Sequence, residues 1–325
     1  MQLFIRTFGW LLLIGMFLVL PAALWYSFAD FRPALHARAG TLVCATETPV
    51  SSDSVCRSFW LELTATSGFR AEAGLLIPSN PPTPLPAVIL LGGKATGKHA
   101  IDYVLDRTDM IVLALDYPYN PRPSYTFRTF AADLPAIQRA LFDMIPAAQL
   151  AVDYLTGRTD IDTNRIVVIG YSFGAPFVPI IMANDPRPAV AVMVYGGGGL
   201  VSLIRHNVRR YEGPAVSTAV GWISGLLLHP LEPLRWVDRI APRPLLMLNG
   251  GDDEQVPRAN SDALFAAARE PKKRILLPSR HVRPDNVALT RMILDTLRGE
   301  LGRMGILPPH AAPRQRSEDT PVQMR

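Results

Sequence analysis

The residues best placed to do chemistry are a serine and the two glycines around it. Gly170, Ser172 and Gly174 form the pattern G-x-S-x-G directly after the apolar run RIVVIG. On a sharp strand-to-helix turn such a serine projects its Oγ from the edge of a sheet, and the glycines keep Cβ atoms out of the crowded turn. The free N–H groups of the following helix favour developing negative charge. The pattern therefore predicts a nucleophilic serine at position 172, with a purely structural turn as the alternative.

The composition of the chain restricts the class of protein. Of its 325 residues 49% are hydrophobic and 19% are charged, which is typical of a folded chain. The net charge of +5 is spread along the sequence without the aromatic-interleaved basic pattern of a nucleic-acid binder. We find no metal-ligand cluster in the sequence and expect neither metal nor cofactor. The densest basic cluster predicts a solvated helix face, with an anionic lipid or anionic substrate group as alternatives: Arg205, His206, Arg209 and Arg210.

Short apolar runs alternate with longer helical segments along the chain. The expected strands are SFWLELTA, AGLLIP, AVILLGG, MIVLALDYP, RIVVIG, AVAVMVYGG and RPLLMLNGG, the first two as an antiparallel pair. Their continuous apolar character is typical of a sheet that is covered on both faces. This alternation predicts an α/β fold with a doubly wound, mostly parallel sheet, and such sheets place their chemistry at the carboxyl ends of the strands. Helices are expected around residues 101–107, 130–157, 173–184, in the 200s, 261–269 and 286–301.

At these residues the chain resembles the α/β-hydrolase family, in its dienelactone-hydrolase-like and prolyl-oligopeptidase-like branches. The stretch AVDYLTGRTDIDTNRIVVIGYSFGA resembles the helix, loop, strand and nucleophile turn of that group, and RPLLMLNGGDDEQVP resembles its acid strand and loop. The likeness spans roughly residues 60–300 in element order. It implies a serine hydrolase that forms an acyl-enzyme. The helix after Ser172 departs from the pattern, because Pro179 should remove a backbone hydrogen bond and kink it.

The resemblance also implies the partners of Ser172, because in this fold the nucleophile, the acid and the histidine follow one another in that order. Of the histidines after a plausible acid, His310 lies in the polar C-terminal stretch, which leaves His281 as the expected base. The segment NGGDDEQVP offers three neighbouring carboxylates for the acid. The family pattern Gly-x-x-Asp-x-x-Val-Pro favours Asp253, with Asp252 as the alternative.

An oxyanion hole needs two N–H donors aimed at the developing charge. One is expected from the backbone of Phe173, and the other from the loop after AVILL, at Gly93 or the neighbouring Lys94. The family often has a histidine before these glycines where this chain has Leu91, but a backbone donor does not depend on that side chain. The same loop, GGKATGKH, is close to a nucleotide-binding P-loop, yet His99 stands where the Mg²⁺-binding hydroxyl is required. Nucleotide binding is therefore the less favoured interpretation.

The N-terminal segment predicts a membrane span. Residues 7–29 carry no charged side chain, and at about 1.5 Å per residue they are long enough to cross a hydrocarbon core of about 30 Å. Trp10 lies near one end and Trp25 and Tyr26 near the other, as in an aromatic belt. We favour an uncleaved anchor over a signal peptide cut after residue 29, and a buried core helix is the remaining alternative.

Two cysteines follow this segment. Cys44 and Cys56 bracket the polar stretch ATETPVSSDSV, and we expect a disulfide between them in an oxidising compartment, with two unrelated thiols as the alternative. The anchor and the disulfide together predict a catalytic domain on the extracytoplasmic side of a membrane, periplasmic or extracellular, or a secreted protein if the segment is cleaved. The expected organisation is a membrane segment at 1–30, a linker with the cysteine pair at 31–56, a hydrolase domain at 57–307 and a disordered tail at 308–325.

Residues 198–241 are expected to form a small helical lid. The segment is apolar, with Trp222 and Trp236 among its residues, and family insertions at this point cover the serine. An apolar lid suggests an acyl or alkyl group near the active site, and plain helical packing against the core is the alternative. The sequence thus predicts a membrane-tethered serine hydrolase that cleaves a carboxylic ester or related acyl bond of a small-molecule or acyl substrate. A serine peptidase, an acyltransferase or a catalytically silent binding protein on the same fold are the alternatives.

Overall fold

The computed structural model describes residues 21, 24–26, 28–79, 84–94, 96–104, 109–119, 122, 127–283 and 285–308. Within these residues one sheet of nine strands carries the fold. The strands are β1 (Leu42–Ser52), β2 (Cys56–Ala65), β3 (Arg70–Pro78), β4 (Leu85–Leu91), β5 (Ile111–Leu115), β6 (Ile161–Tyr171), β7 (Val190–Val194), β8 (Leu245–Gly250) and β9 (Lys272–Leu277). The helices are α1 (Arg32–Ala39), α2 (Phe127–Thr156), α3 (Phe177–Asn184), α4 (Leu200–Arg209), α5 (Pro214–Leu227), α6 (Arg258–Ala267) and α7 (Val287–Arg303).

The order of the strands marks one place in the sheet as the site of chemistry. The order is β1-β2-β3-β5-β4-β6-β7-β8-β9. Neighbouring strands from β5 to β9 are parallel, whereas β1, β2 and β3 pair antiparallel in sequence and β3 pairs antiparallel with β5. The chain places β5 on one side of β4 and β6 on the other, so the strand order reverses at β4. Because open α/β sheets bind ligands at the carboxyl ends of strands beside such a reversal, the loops after β4 and β6 are the place to examine.

Alternate residues of the central strands build two separate cores. Ile89 of β4 packs with α2 and α3 on one face, and Val88 packs with α7 on the other. The parallel register sets Val88 beside Val112 of β5 and Val167 of β6, so all three point to the same face. The α/β class and the mostly parallel, doubly wound sheet are confirmed, and all seven predicted strands belong to it.

The segment at residues 31–56 is not the linker that the sequence predicts. It forms α1 and then β1, an edge strand whose residues are nearly all exposed. This polar strand contains no apolar run from which it could be predicted. Its extended conformation depends on main-chain pairing with β2. Helix α1 is fixed to α2 by an ion pair, in which Nη2 of Arg38 donates to Oδ2 of Asp143 at 2.7 Å.

The predicted disulfide between Cys44 and Cys56 is wrong. Cys44 pairs across the sheet with Thr64, which lies eight residues along β2 from Cys56. At about 3.4 Å per residue the two cysteines are about 27 Å apart, whereas a disulfide requires Cα atoms within about 7 Å. Both thiols are free, Cys44 exposed and Cys56 buried. The cysteines therefore give no support to an oxidising compartment.

The predicted membrane span at residues 7–29 lies mostly outside the described residues, and so does the tail from residue 309 onward. Of the helices in the part of the chain that the structure describes, none combines the length and the apolar composition needed to span a bilayer.

Candidate active site

Ser172 lies on a tight turn between β6 and α3, at the carboxyl end of β6. Its φ of 50° is in the left-handed region, which non-glycine residues rarely adopt. A Cβ on Gly170 would lie 2.6 Å from the carbonyl oxygen of Gly174, and a Cβ on Gly174 would overlap the carbonyl group of Leu91. Close backbone contacts therefore require both glycines of the predicted pattern, and the turn holds Ser172 at the strand end.

The predicted loss of a hydrogen bond at Pro179 is wrong. Helix α3 begins at Phe177, after a separate 3-10 turn at Ser172–Gly174, so Pro179 falls in the first turn of the helix. Backbone N–H groups in the first turn have no partner within the helix, and a proline there removes nothing.

Three side chains that are far apart in the sequence meet at the serine turn. Oγ of Ser172 lies 2.7 Å from Nε2 of His281, and Nδ1 of His281 lies 2.9 Å from each carboxylate oxygen of Asp253. Asp253 follows β8 and His281 follows β9, so both loops leave the same edge of the sheet as Ser172. The side chains of His281 and Asp253 are 3% and 2% exposed. The structure thus brings together the residues that the sequence named as nucleophile, base and acid.

The loop after β8 orients Asp253 toward the histidine. Oδ1 of Asp253 accepts from the backbone N–H groups of Gln255 at 2.8 Å and Val256 at 2.9 Å. With the carboxylate so held, Nδ1 of His281 is the donor to Asp253, and Nε2 is left as the acceptor that faces Ser172. The alternative acid, Asp252, is exposed.

Glu254 holds the histidine loop from the other side. Its Oε2 accepts from the backbone N–H of His281 at 3.2 Å, and Arg280 and Arg283 each approach its carboxylate to 3.4 Å. Burial raises the pKa of Glu254, but the backbone N–H groups of Glu254 itself and of His281, together with Arg280, lower that pKa to about 2. Glu254 therefore carries its charge at neutral pH and fixes the backbone of His281 without contacting Ser172.

Tyr195, directly after β7, supports the histidine ring and was not found from the sequence. Its ring meets that of His281 edge-on with centroids 5.5 Å apart, and its hydroxyl hydrogen-bonds that of Ser279. Burial raises the pKa of Tyr195, the bond to Ser279 lowers it and the charge of Asp253 raises it. A Cβ on Gly250 would lie 2.8 Å from the tyrosine ring, so a glycine is needed there. A tyrosine at the carboxyl end of the strand next to β6 was the signal that could have pointed to it.

The two predicted oxyanion donors lie on neighbouring loops. Leu91 pairs in register with Gly170, so Gly93 and Ser172 each stand two residues beyond paired positions. Gly93 and Lys94 line the same cavity as Ser172 and His281. Phe173, directly after Ser172, has a partly exposed ring.

Tyr117, after β5, fastens these two loops together. Its hydroxyl donates to the carbonyl oxygen of Gly92, and its ring lies 5.1 Å from that of Phe173, centroid to centroid. Burial, and to a smaller extent the charge of Asp116, raises the pKa of Tyr117, so the phenol remains a donor. The loops that carry both candidate donors are thus held by one buried side chain.

The loop that resembles a P-loop is arranged differently from a phosphate cradle. Residues Gly97–Tyr103 form a 3-10 turn, and Nζ of Lys98 lies 2.5 Å from Glu72 and 3.4 Å from Asp116. A lysine engaged by two carboxylates is not available to a nucleotide phosphate, so the loop gives no support to nucleotide binding.

The helices of the predicted lid pack beside the acid loop. In α4, Nδ2 of Asn207 donates to the carbonyl oxygen of Gln255 at 2.8 Å, and Nε2 of His206 lies 3.0 Å from that of Glu254. Among the described residues that line the cavity at Ser172, none comes from residues 198–241. The helices of this insertion therefore support the acid loop, and a lid over Ser172 stays a prediction.

A cavity of about 330 Å³ opens beside Ser172 and His281. It runs between one face of the sheet and α7, and most of its lining is aliphatic. Within the described ranges, no group of three or more His, Cys, Asp or Glu side chains is placed to hold a metal ion. The site combines the hydroxyl of Ser172, the imidazole of His281 and candidate backbone donors at the opening of this apolar cavity.

No protein family model matches the chain. It is similar to the alpha/beta hydrolase domain-containing protein WAV2 of Arabidopsis thaliana, with 30% identity over 135 residues, which are 40% of this chain and 44% of WAV2. It is also 29% identical over 170 residues to an uncharacterized protein of Mycobacterium tuberculosis, which are 49% of this chain and 53% of that protein. The chain spans about half the length of the curated relatives it matches.

Among solved structures, the chain is similar to acetyl xylan esterase 1 from Thermoanaerobacterium sp. JW/SL YS485. The TM-score is 0.59 at 15% identity, over 81% of this chain and 92% of the esterase. At this identity the likeness concerns the fold alone.

Proposed function

From the α/β-hydrolase fold that this chain has, we propose that it is a serine hydrolase that cleaves a carboxylic ester or related acyl bond. The observation that carries the proposal is the continuous contact from Ser172 Oγ to His281 Nε2 at 2.7 Å, and from His281 Nδ1 to Asp253 at 2.9 Å. A buried imidazole between a hydroxyl and a carboxylate is the arrangement that activates a serine.

In the proposed reaction Ser172 Oγ attacks the acyl carbonyl carbon while His281 Nε2 takes the hydroxyl proton. The N–H groups of Phe173 and Gly93 stabilise the negative oxygen of the tetrahedral intermediate. The bond to the leaving group then breaks, and His281 returns the proton to the departing oxygen. Water attacks the acyl-enzyme with His281 again as base, which releases the acid and restores Ser172. Asp253 keeps Nδ1 protonated and stabilises the imidazolium in both halves.

Covalent labelling tests the nucleophile directly. A fluorophosphonate probe should label the wild-type protein and should not label Ser172→Ala, with Ser54→Ala as control, because Ser54 is exposed in the turn between β1 and β2. Parallel panels of p-nitrophenyl esters and aminoacyl p-nitroanilides separate an esterase from a peptidase. A folded wild-type protein that resists the probe and cleaves neither panel would identify a silent binding protein.

We also propose that residues 7–29 tether the domain to a membrane, with the domain on the extracytoplasmic side. The described end of this segment is attached to α5, since Oη of Tyr26 donates to the carbonyl oxygen of Leu227 at 2.6 Å. Apolar side chains are exposed on both sides of this attachment: Trp25 at 69%, Phe28 at 81%, Trp222 at 66% and Ile223 at 56%. A bilayer interface reached by the tether would cover this surface, because aromatic side chains favour that depth.

Fractionation of cells that produce the full chain tests the tether. The protein should stay with membranes after a carbonate wash, and a chain lacking residues 1–29 should not. A fused alkaline phosphatase, which folds only outside the cytoplasm, reports the side, and mass spectrometry of the mature N-terminus separates an anchor from a cleaved signal. A wild-type chain that is fully washed off the membranes with its N-terminus intact would contradict the proposal.

A further inference from the structure

We propose that the cavity between the sheet and α7 is an acyl-chain site, which we name the acyl chamber, and that the substrate is an ester of a fatty acid with about ten carbons. This inference rests on the proposed function, because the chamber begins at the proposed nucleophile. Ser172 and His281 line its mouth together with Gly93.

The walls of the acyl chamber are complementary to a hydrocarbon. Side chains of three adjacent strands form one wall and one face of α7 forms the other, and all of these side chains except Leu294 belong to one apolar core. Burying methylene groups against these side chains is favourable, whereas the side chains provide no hydrogen bonds for a polar substrate. The sheet contributes Val88, Leu90, Val112 and Ile169, and α7 contributes Ile293, Leu294, Leu297 and Leu301.

Two independent measures give the depth of the chamber. Val88 and Val112 lie level with Val167, which precedes Ser172 by five residues, or about 16 Å at about 3.3 Å per strand residue. Along α7, the lining residues extend from Thr290 to Leu301, eleven residues, or about 16 Å at about 1.5 Å per helix residue. The chamber therefore runs from the carboxyl edge of the sheet well down its face, as an extended chain attached to Ser172 would.

The chamber lies beside a crossover whose described residues cover little of the sheet. The connection from β5 to β6 contains α2, a helix of 30 residues that fills the opposite face. In the connection from β4 to β5, the described residues form only the 3-10 turn Gly97–Tyr103. Since a 3-10 turn of seven residues covers less of the sheet than a full helix, α7 is left to bridge the face and a long gap remains beneath it.

Among the described lining residues, charge is either neutralised by an ion pair or lies at the mouth of the chamber. Arg298 lines it, but its guanidinium binds both carboxylate oxygens of Asp109, at 2.5 and 3.0 Å. Lys94 and Arg283 lie among the lining residues near Ser172, on the loops at the carboxyl edge. An uncharged chain can therefore enter beneath α7 while the ester group and the leaving alcohol stay at the polar mouth.

The volume of the chamber sets the length of the chain. At about 30 Å³ for a group the size of a water molecule, a cavity of about 330 Å³ holds on the order of ten such groups. Each methylene that is buried should raise kcat/KM roughly fourfold, the equivalent of about 0.8 kcal/mol, until the chamber is full. Selectivity should therefore rise from acetate toward decanoate and then stop rising.

A series of p-nitrophenyl esters from acetate to hexadecanoate, below their micelle concentrations, tests this site. Ile293→Phe, near the mouth, should lower the decanoate-to-acetate ratio of kcat/KM by more than tenfold, while Leu301→Phe, at the far end, should affect only the longest chains. The matched control is Leu289→Phe, on the same helix and buried in the same core but outside the lining. The far-ultraviolet circular dichroism spectrum and the Tm of each variant show whether it is folded.

A binding measurement on Ser172→Ala separates failure of the chamber from failure of the proposed function. Decanoic acid should raise the Tm of Ser172→Ala, and adding Ile293→Phe should abolish that rise. Binding of decanoic acid without hydrolysis of any ester would leave the chamber standing and overturn the hydrolase. Hydrolysis that is indifferent to chain length, no binding of decanoic acid, or a Leu289→Phe variant that behaves like Ile293→Phe would overturn the chamber.

Discussion

The replacement Asp253→Asn tests the proposed role of the carboxylate, because the structure dictates how the new amide must turn. Oδ1 of Asp253 accepts two backbone N–H bonds, from Gln255 and Val256, at 2.8 and 2.9 Å. An amide NH₂ cannot accept, so the oxygen of the asparagine must take the Oδ1 position. The NH₂ group then occupies the Oδ2 position, which lies 2.9 Å from Nδ1 of His281.

The amide would impose the wrong tautomer on the histidine. The amide oxygen at the Oδ1 position also lies 2.9 Å from Nδ1, but it already accepts two backbone N–H bonds. The NH₂ group therefore competes for Nδ1 as a donor and favours the tautomer whose proton is on Nε2, 2.7 Å from Ser172 Oγ. A protonated Nε2 cannot take the serine proton. In the catalytic triad of the serine proteases, which have a different fold, the same replacement costs about 10⁴-fold, which is about 5.4 kcal/mol at about 1.36 kcal/mol per tenfold. We expect a loss of that size in kcat/KM for Asp253→Asn.

The assay is hydrolysis of p-nitrophenyl esters, with the rate of fluorophosphonate labelling as a second reading of the nucleophile. The side chain is nearly isosteric, so the Tm of Asp253→Asn should stay close to that of wild type. Asp252→Asn is the control, since Asp252 is exposed and should change kcat/KM by less than twofold. Retention of more than a tenth of the wild-type kcat/KM by Asp253→Asn, or an equal loss in Asp252→Asn, would refute the assignment.

Three further predictions concern stability. The pKa of Glu254 is about 2 in the folded protein and about 4.3 in an unfolded chain, so its stabilising contribution is complete above about pH 4.3 and disappears as the pH falls to about 2. In urea titrations Glu254→Gln should therefore unfold more easily than wild type at pH 6, and a difference that does not narrow toward pH 2 would contradict this. Gly174→Ala should cost about 1–3 kcal/mol in the same assay, because its Cβ would overlap the backbone of Leu91; an unchanged midpoint would contradict it. Reductant should leave the Tm unchanged, since Cys44 and Cys56 are too far apart to bond, and a lower Tm on reduction would show otherwise.

The central strands could be predicted because their signal is local. A strand that is buried on both faces is apolar through its buried part, and β4 to β8 each contain such a run, which in β6 extends from Ile166 to Ile169. The edge strand β1 shows no such run, because its residues are exposed and only its pairing with β2 makes it a strand. The sequence does not show how β1 pairs with β2, and it therefore does not show that Cys44 and Cys56 lie far apart in the sheet.

The glycine run after β7 is a second feature whose role cannot be predicted from the sequence. Its four glycines suggest a flexible loop in the sequence, but Cβ atoms on Gly196 and Gly198 would each lie 2.7 Å from a neighbouring side chain. Glycines are used there because packed side chains approach the backbone. Whether a glycine is flexible or crowded depends on its neighbours in space, which the sequence does not contain.

By itself, the sequence determined the class of fold and the turn that carries Ser172, because both follow from residues that are adjacent along the chain. The resemblance to a known family supplied a short set of candidates for the partners of Ser172. The tertiary structure decided which carboxylate faces His281, how Tyr195 and Glu254 hold it, that the insertion supports the acid loop, and that a chamber lies beneath α7. These features depend on the register of parallel strands and on how completely helices cover the sheet, and both are set by contacts between residues far apart in the chain.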